Sequence, residues 1–342
     1  MFAATIQFIR DQFQSQEFIP LHEPKFRGNE KKYILDTIDS TYVSSVGEYV
    51  DRFEQMMSEI SSTRRSVAVV NGTASLQVAL RLAGVEPQTE VITQALTFVA
   101  TANAIAYLGA LPVFVDVDLD TMGLSPQALR AFLSEHAEQR EEGTFNKKSG
   151  RKISAILPMH TFGHPCRIDE ITTIGAQYNI PIVEDAAESL GSYYKGQHTG
   201  SFGLLGTFSF NGNKTVTCGG GGAIATNSEE LGSAGKYLTT TAKKPHSWEY
   251  YHDQLGYNFR MPNINAALAC AQLEQLDGFV ENKRQLAASY QSFFTSIGVT
   301  FKTEPENSKA NYWLMAVELA DRKERDAFLE LTNKQGIMTR PI

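Results

Sequence analysis

The feature that most constrains this chain is a repeated alternation of short apolar runs with helically spaced segments. Ser66-Val67-Ala68-Val69-Val70 reads as a buried strand, breaks into polar Asn71-Gly72-Thr73-Ala74-Ser75, and hands over to apolar residues at helical spacing across 76–83. The order recurs as a strand over 90–93, a helix over 99–108, a strand over 112–115, and an apolar run over 180–183 ending in Glu184-Asp185. Strand and helix in turn specify an α/β fold, a mostly parallel sheet covered by helices. Two helices are predicted before it, over 24–41 and 47–60, with a loop at 42–47. After it come a strand over 223–226, a tyrosine-rich linker over 250–257 and one long helix over 264–295. The pattern shift sets a boundary within about ten residues of Gly256. It divides the chain into a large domain, 1–255, and a smaller C-terminal α+β domain, 256–342.

Three places in this frame carry chemistry. Strand, small polar loop and helix start form a phosphate-binding arrangement at Gly72, Thr73 and Ala74, where free N–H groups and the helix dipole favour an anion. Thr73 and Ser75 are equally ordinary helix caps. Asp185 closes a buried strand at the sheet edge where such folds bind ligands; it can pair with a protonated pyridine nitrogen or cap the next helix. Lys214 follows Phe208-Ser209-Phe210-Asn211-Gly212-Asn213 and precedes four glycines, 219–222. A loop amine of this kind is either a solvated surface charge or, partly desolvated, a group for bonding an aldehyde. Phe98 offers a face for a pyridine ring or a core aromatic. A phosphate cradle, a carboxylate for a ring nitrogen and an amine for an aldehyde, in this order, are what pyridoxal 5′-phosphate requires.

Asn71-Gly72-Thr73-Ala74-Ser75-Leu76, Thr97-Phe98-Val99-Ala100-Thr101-Ala102-Asn103-Ala104, Glu184-Asp185-Ala186-Ala187-Glu188, Phe208-Ser209-Phe210 with Lys214, and Gly256-Tyr257-Asn258-Phe259-Arg260-Met261 resemble the DegT/DnrJ/EryC1/StrS aminotransferases. The resemblance implies a fold-type I enzyme that transaminates nucleotide-linked keto-sugars with L-glutamate as donor. By matching motif, Gly72, Thr73, Ala74 and Ser209 would hold the phosphate, Phe98 would stack on the ring, and Asp185 would pair with its nitrogen. Glu188, where many relatives carry Gln, would reach the ring hydroxyl or the substrate, and Lys214 would bond the aldehyde carbon and act as base and acid. Asn258 would reach the phosphate in the neighbouring subunit, which implies a homodimer with shared sites. Relatives with histidine in place of the lysine are dehydratases, whereas this chain keeps Lys214. The polar insert 136–152 and Ile156-Leu157-Pro158-Met159-His160-Thr161-Phe162-Gly163-His164 look like the LegC-like subgroup. That subgroup implies a UDP-linked 2-acetamido-2,6-dideoxy-hexos-4-ulose aminated at C4, on routes to surface sugars. The family continues beyond Gly336-Ile337-Met338-Thr339-Arg340-Pro341-Ile342, so a truncated small domain is expected, with cofactor binding kept even where turnover is weak. Dehydratase chemistry and a non-catalytic regulator keeping the fold are the alternatives.

Composition fits these expectations. With 342 residues, 42% of them hydrophobic, the chain can fill a sizeable core. Its 31 Lys and Arg against 38 Asp and Glu give a net charge of -7, which offers no general attraction for nucleic acid or an anionic membrane. The cationic stretch 147–152 reads as a solvated loop, with a contact to the nucleotide diphosphate as the alternative. Cys166, Cys218 and Cys270 are widely spaced, which points to free thiols in a reducing compartment, and no apolar stretch or signal-peptide pattern argues against cytoplasm. His160 and His164 stand four apart, but Pro158, Gly163 and Pro165 mark a loop, so no metal site is expected there.

Overall fold

The computed structural model describes residues 2–342. A four-stranded sheet runs in the order Arg65–Val69, Gly222–Thr226, Leu205–Ser209 and Val183–Asp185. A three-stranded sheet has Glu90–Gln94 between Leu111–Val115 and Ile153–Leu157. Parallel bridges from Ile156 to Ile182 and from Met159 to Asp185 join the two edge to edge. Every strand of the combined sheet runs parallel except Gly222–Thr226, which pairs antiparallel with both neighbours. The carboxyl ends of the parallel strands therefore share one edge.

Period-2 alternation sorts the sheet's side chains into two cores. Ala68, Ala223, Ala225 and Phe208 face a layer holding Phe53, Met57 and Phe210, whereas Val67, Val69, Ile224 and Leu205 face one holding Leu76, Val78 and Leu80. Alanines on the first face let helices Glu48–Ser61 and Asn263–Leu273 approach closely. The helix Gly72–Leu82 covers the second face.

Several boundaries differ from expectation. The segment 24–29 is not helical, and the helix begins at Glu30–Asp39, because the buried Glu30 carboxylate turns back to accept the Gly28 N–H at 2.8 Å. The single helix expected over 264–295 is two, Asn263–Leu273 and Leu276–Ser296. Between them Gln275 leaves helical geometry while its side chain donates to Glu30 at 2.7 Å and to the Ala271 carbonyl at 2.9 Å. The polar insert contains a hairpin, Ala137–Arg140 paired with Gly143–Asn146. The helix Phe2–Phe13 packs with the C-terminal residues: Ile9, Ile19 and Ile337 share a small core, and the Ile19 N–H donates to the Gly336 carbonyl at 2.8 Å. Among the described residues no helix is long and apolar enough to cross a membrane.

Candidate active site

A cavity of about 310 Å³ opens at the carboxyl edge of the sheet, and the loops after three strands converge on it. Asn71, Gly72 and Thr73 follow the strand Arg65–Val69, Asp185 and Glu188 end or follow Val183–Asp185, and Ser209 and Lys214 end or follow Leu205–Ser209. Phe98, from the loop before helix Val99–Tyr107, also lines it.

At the helix start, Asn71 is the cap, its side chain accepting the Ala74 N–H at 2.8 Å. Thr73 and Ser75 lie inside the helix, which removes their reading as caps. The Ala74 N–H is thus engaged and its side chain is buried away from the cavity, in contrast to the expected phosphate contact. Gly72 and Thr73 supply the first N–H groups of the helix, which have no partner within it. A Cβ on Gly72 would come within 2.7 Å of Ser209 Cβ, so only glycine admits this approach of two cavity walls.

Asp185 is buried and no helix follows it, so its capping alternative falls away. One carboxylate oxygen accepts from Thr101 Oγ1 at 2.7 Å and the other from the Ala187 N–H at 3.2 Å. Burial pushes its carboxyl above the ordinary value, with the Thr101 bond opposing. Thr101 in turn touches Thr97 Oγ1 at 2.7 Å, forming a hydroxyl chain behind the carboxylate. Phe98 is 64% exposed beside the cavity, so it is not a core aromatic.

Lys214 is not a solvated surface charge: its side chain is only 12% exposed. Its Nζ lies 3.4 Å from Glu188 Oε1 and 4.1 Å from the centre of the Trp313 ring. Glu188 is buried, which raises its carboxyl, and its other oxygen accepts the Phe162 N–H at 2.8 Å. Asn258 stands apart from this group. It is exposed, bridges to Thr240, and its side-chain oxygen accepts from Arg260 at 2.9 and 3.1 Å.

Sequence reasoning missed Asn71, Asn213 and Trp313 as wall residues. Asn71 and Asn213 adjoin motif residues and were within reach of it, whereas Trp313 lies about a hundred positions from Lys214 and has no local signal. His160 Nδ1 accepts the Cys166 N–H at 3.2 Å, so its Nε2 donates to the Glu184 carboxylate at 3.0 Å, and His164 packs edge-on against Tyr312 at 5.1 Å. Among the described residues no group of three or more His, Cys, Asp or Glu is placed to hold a metal.

The donor set fits pyridoxal phosphate. Amide N–H groups at a helix start beside Ser209 suit the phosphate, Asp185 the ring nitrogen and Lys214 the aldehyde carbon. Residues 24–342 match the model of the DegT/DnrJ/EryC1/StrS aminotransferase family. The chain is 36% identical over 326 residues to the GDP-perosamine synthase of Escherichia coli O157:H7, across 95% of this chain and 85% of that protein. It is 36% identical over 325 residues to EpsN of Bacillus subtilis (strain 168), provisionally named a pyridoxal phosphate-dependent aminotransferase, across 95% and 81%. The crystal structure of DesI in the presence of its TDP-sugar product matches with a TM-score of 0.82 at 26% identity, covering 95% of this chain and 79% of that one. Cavity, fold and relatives agree, and the chain belongs to the DegT/DnrJ/EryC1/StrS family as a pyridoxal phosphate-dependent aminotransferase with a fold-type I architecture.

Proposed function

We propose that the enzyme moves an amino group from L-glutamate to the C4 ketone of a nucleotide-linked 4-keto-6-deoxy sugar, for amino-sugar and surface polysaccharide synthesis in the cytoplasm. The observation that carries this reading is the convergence of Lys214, Asp185, Glu188, Ser209 and the Gly72–Leu82 helix start on one cavity. The free, buried cysteines suit a reducing compartment. A GDP-linked sugar is favoured by the name of the 36% identical synthase. The UDP-linked 2-acetamido sugar rests on the insert 136–152 and on the motif 156–164; among the described residues none of the insert lines the cavity, and of the motif Met159 does. Instead Gln139 Nε2 donates to the Gln177 carbonyl at 2.7 Å.

Bound in this cavity, the cofactor supplies an electron sink for the charge left when a proton leaves the carbon bearing the amino group. Lys214 Nζ takes that proton from the donor Cα and later returns one to the sugar C4. Glu188 Oε1, next to the amine, can take up or hold a proton as the lysine changes state. Asp185 holds a proton on the ring nitrogen, and Thr101 keeps the carboxylate aimed. Gly72, Thr73 and Ser209 anchor the phosphate, and Phe98 covers the ring. Asn258, exposed and outside its own cavity, serves the site of a second copy in a homodimer.

The test is an absorbance spectrum with pyridoxal phosphate before and after glutamate, then product analysis with GDP- and UDP-linked 4-keto sugars. A visible band that bleaches with glutamate and returns only with a keto-sugar supports the proposal. A band indifferent to glutamate would point to dehydratase-type chemistry or a regulator, and turnover by Lys214→Ala would sink the assignment of the base.

A further inference from the structure

Trp313 comes from the C-terminal part of the chain, yet its ring lies over the reacting amine, with Lys214 Nζ 4.1 Å from its centroid. It is 5% exposed, and four contacts fix it. Its Nε1 donates to the Asn213 carbonyl at 2.6 Å, one residue before Lys214. Its backbone N–H donates to Asn311 Oδ1 at 2.8 Å, Lys283 Nζ donates to its carbonyl at 3.2 Å, and Phe162 packs edge-on at 6.2 Å. Asn311 is fully buried and also donates to the carbonyls of Glu188 and Leu190, each at 2.9 Å. Between Asn311 and Trp313, Tyr312 takes a left-handed φ of 48°, a conformation unfavourable for a bulky residue unless its surroundings impose it. One buried asparagine thus holds the backbones of both Glu188 and Trp313, whose carboxylate and indole lie 3.4 and 4.1 Å from the Lys214 amine.

A tryptophan needed only to fill space has no reason to present its π face to an ammonium while its N–H is fixed to the same loop. The ring face carries the negative part of the aromatic quadrupole and attracts a desolvated cation. We propose that Trp313 is the seat of the Lys214 ammonium whenever the amine is not bonded to the cofactor, a positioning residue for transamination. The inference rests on Lys214 being the catalytic amine. In this role the indole keeps the lysine aimed into the cavity during the half of the cycle when it must carry and return a proton.

The test uses cofactor-free protein first. Lys214 labelling by an amine-acylating reagent, followed by mass spectrometry, should run about tenfold faster in Trp313→Leu than in the parent, with Trp313→Phe between them. Fluorinated tryptophans at position 313, in a Trp248→Phe background, weaken the ring face without changing its shape and keep the test valid should Trp313→Leu fail to fold. Labelling should then accelerate stepwise with fluorine number. With cofactor loaded, the same series should lose single-turnover rate with glutamate while KM for glutamate stays unchanged. Unchanged labelling across the series would overturn the proposal, as would faster labelling with no loss of turnover. A visible band in Lys214→Ala would instead strike at the reading of the lysine itself.

Discussion

At the residue scale the site is a set of buried charges held by short polar contacts. Asp185→Asn removes the carboxylate but keeps the shape. Cofactor should still bind, while the glutamate half-reaction falls by about 10²–10³-fold, as read by stopped-flow bleaching. Thr101→Val, which strips one hydrogen bond from the same carboxylate, should slow it by a smaller factor, about tenfold. Equal rates in Asp185→Asn and parent would remove Asp185 from the chemistry. Much of this set was readable in the chain, because a strand that ends in a carboxylate and a loop lysine before a glycine run are local patterns. The hydroxyl chain through Thr101 and the indole of Trp313 were not readable. Each acts through contacts between segments far apart in sequence, and periodicity reports only on neighbours.

At the element scale, the start of helix Gly72–Leu82 serves folding and binding together. Asn71→Ala removes the cap and should cost about 1 kcal/mol, seen as a lower urea midpoint. Gly72→Ala pushes a methyl group against Ser209, so pyridoxal phosphate affinity should drop by tenfold or more with a modest stability loss. Calorimetric titration separates the two effects, and full affinity in Gly72→Ala would exclude that loop as the phosphate site. The alternating strands and helices were legible because each has its own apolar period. The break between Asn263–Leu273 and Leu276–Ser296 was not, since it arises where Gln272 and Gln275 turn to the buried carboxylate of Glu30. No breaker residue marks it. The hairpin at 137–146 was hidden likewise, its strands being short, polar and exposed.

At the scale of the whole molecule, buried His164 and His198 and half-buried His22 weaken the fold in acid. Burial lowers His22, His164 and His198 from 6.5 to about 4. A depressed histidine stabilises the fold above its unfolded value, and that contribution is lost as pH falls from 6.5 towards 4. The loss is about 3 kcal/mol for each of the fully buried His164 and His198. Buried Asp185 and Glu188, raised by burial, act in the opposite sense and favour the fold at lower pH. Melting temperature should therefore drop across this window, and His164→Phe, which removes two ring nitrogens that lack partners among the described residues, should shrink the drop. A flat profile in the parent would contradict this. Subunit sharing has its own test: mixing Lys214→Ala with Asn258→Ala should restore activity that neither variant has alone, because one hybrid site regains both residues. Finally, the antiparallel strand places Ser209 and Gly222 opposite one another, and the Phe210 N–H reaches the Gly221 carbonyl at 2.9 Å, so the segment carrying Lys214 leaves and rejoins the sheet at a single rung. The lysine hangs on a closed excursion whose two ends are already clasped. Such a loop can be remodelled or exchanged without disturbing strand order, which makes it the natural place for one scaffold to acquire a different reaction.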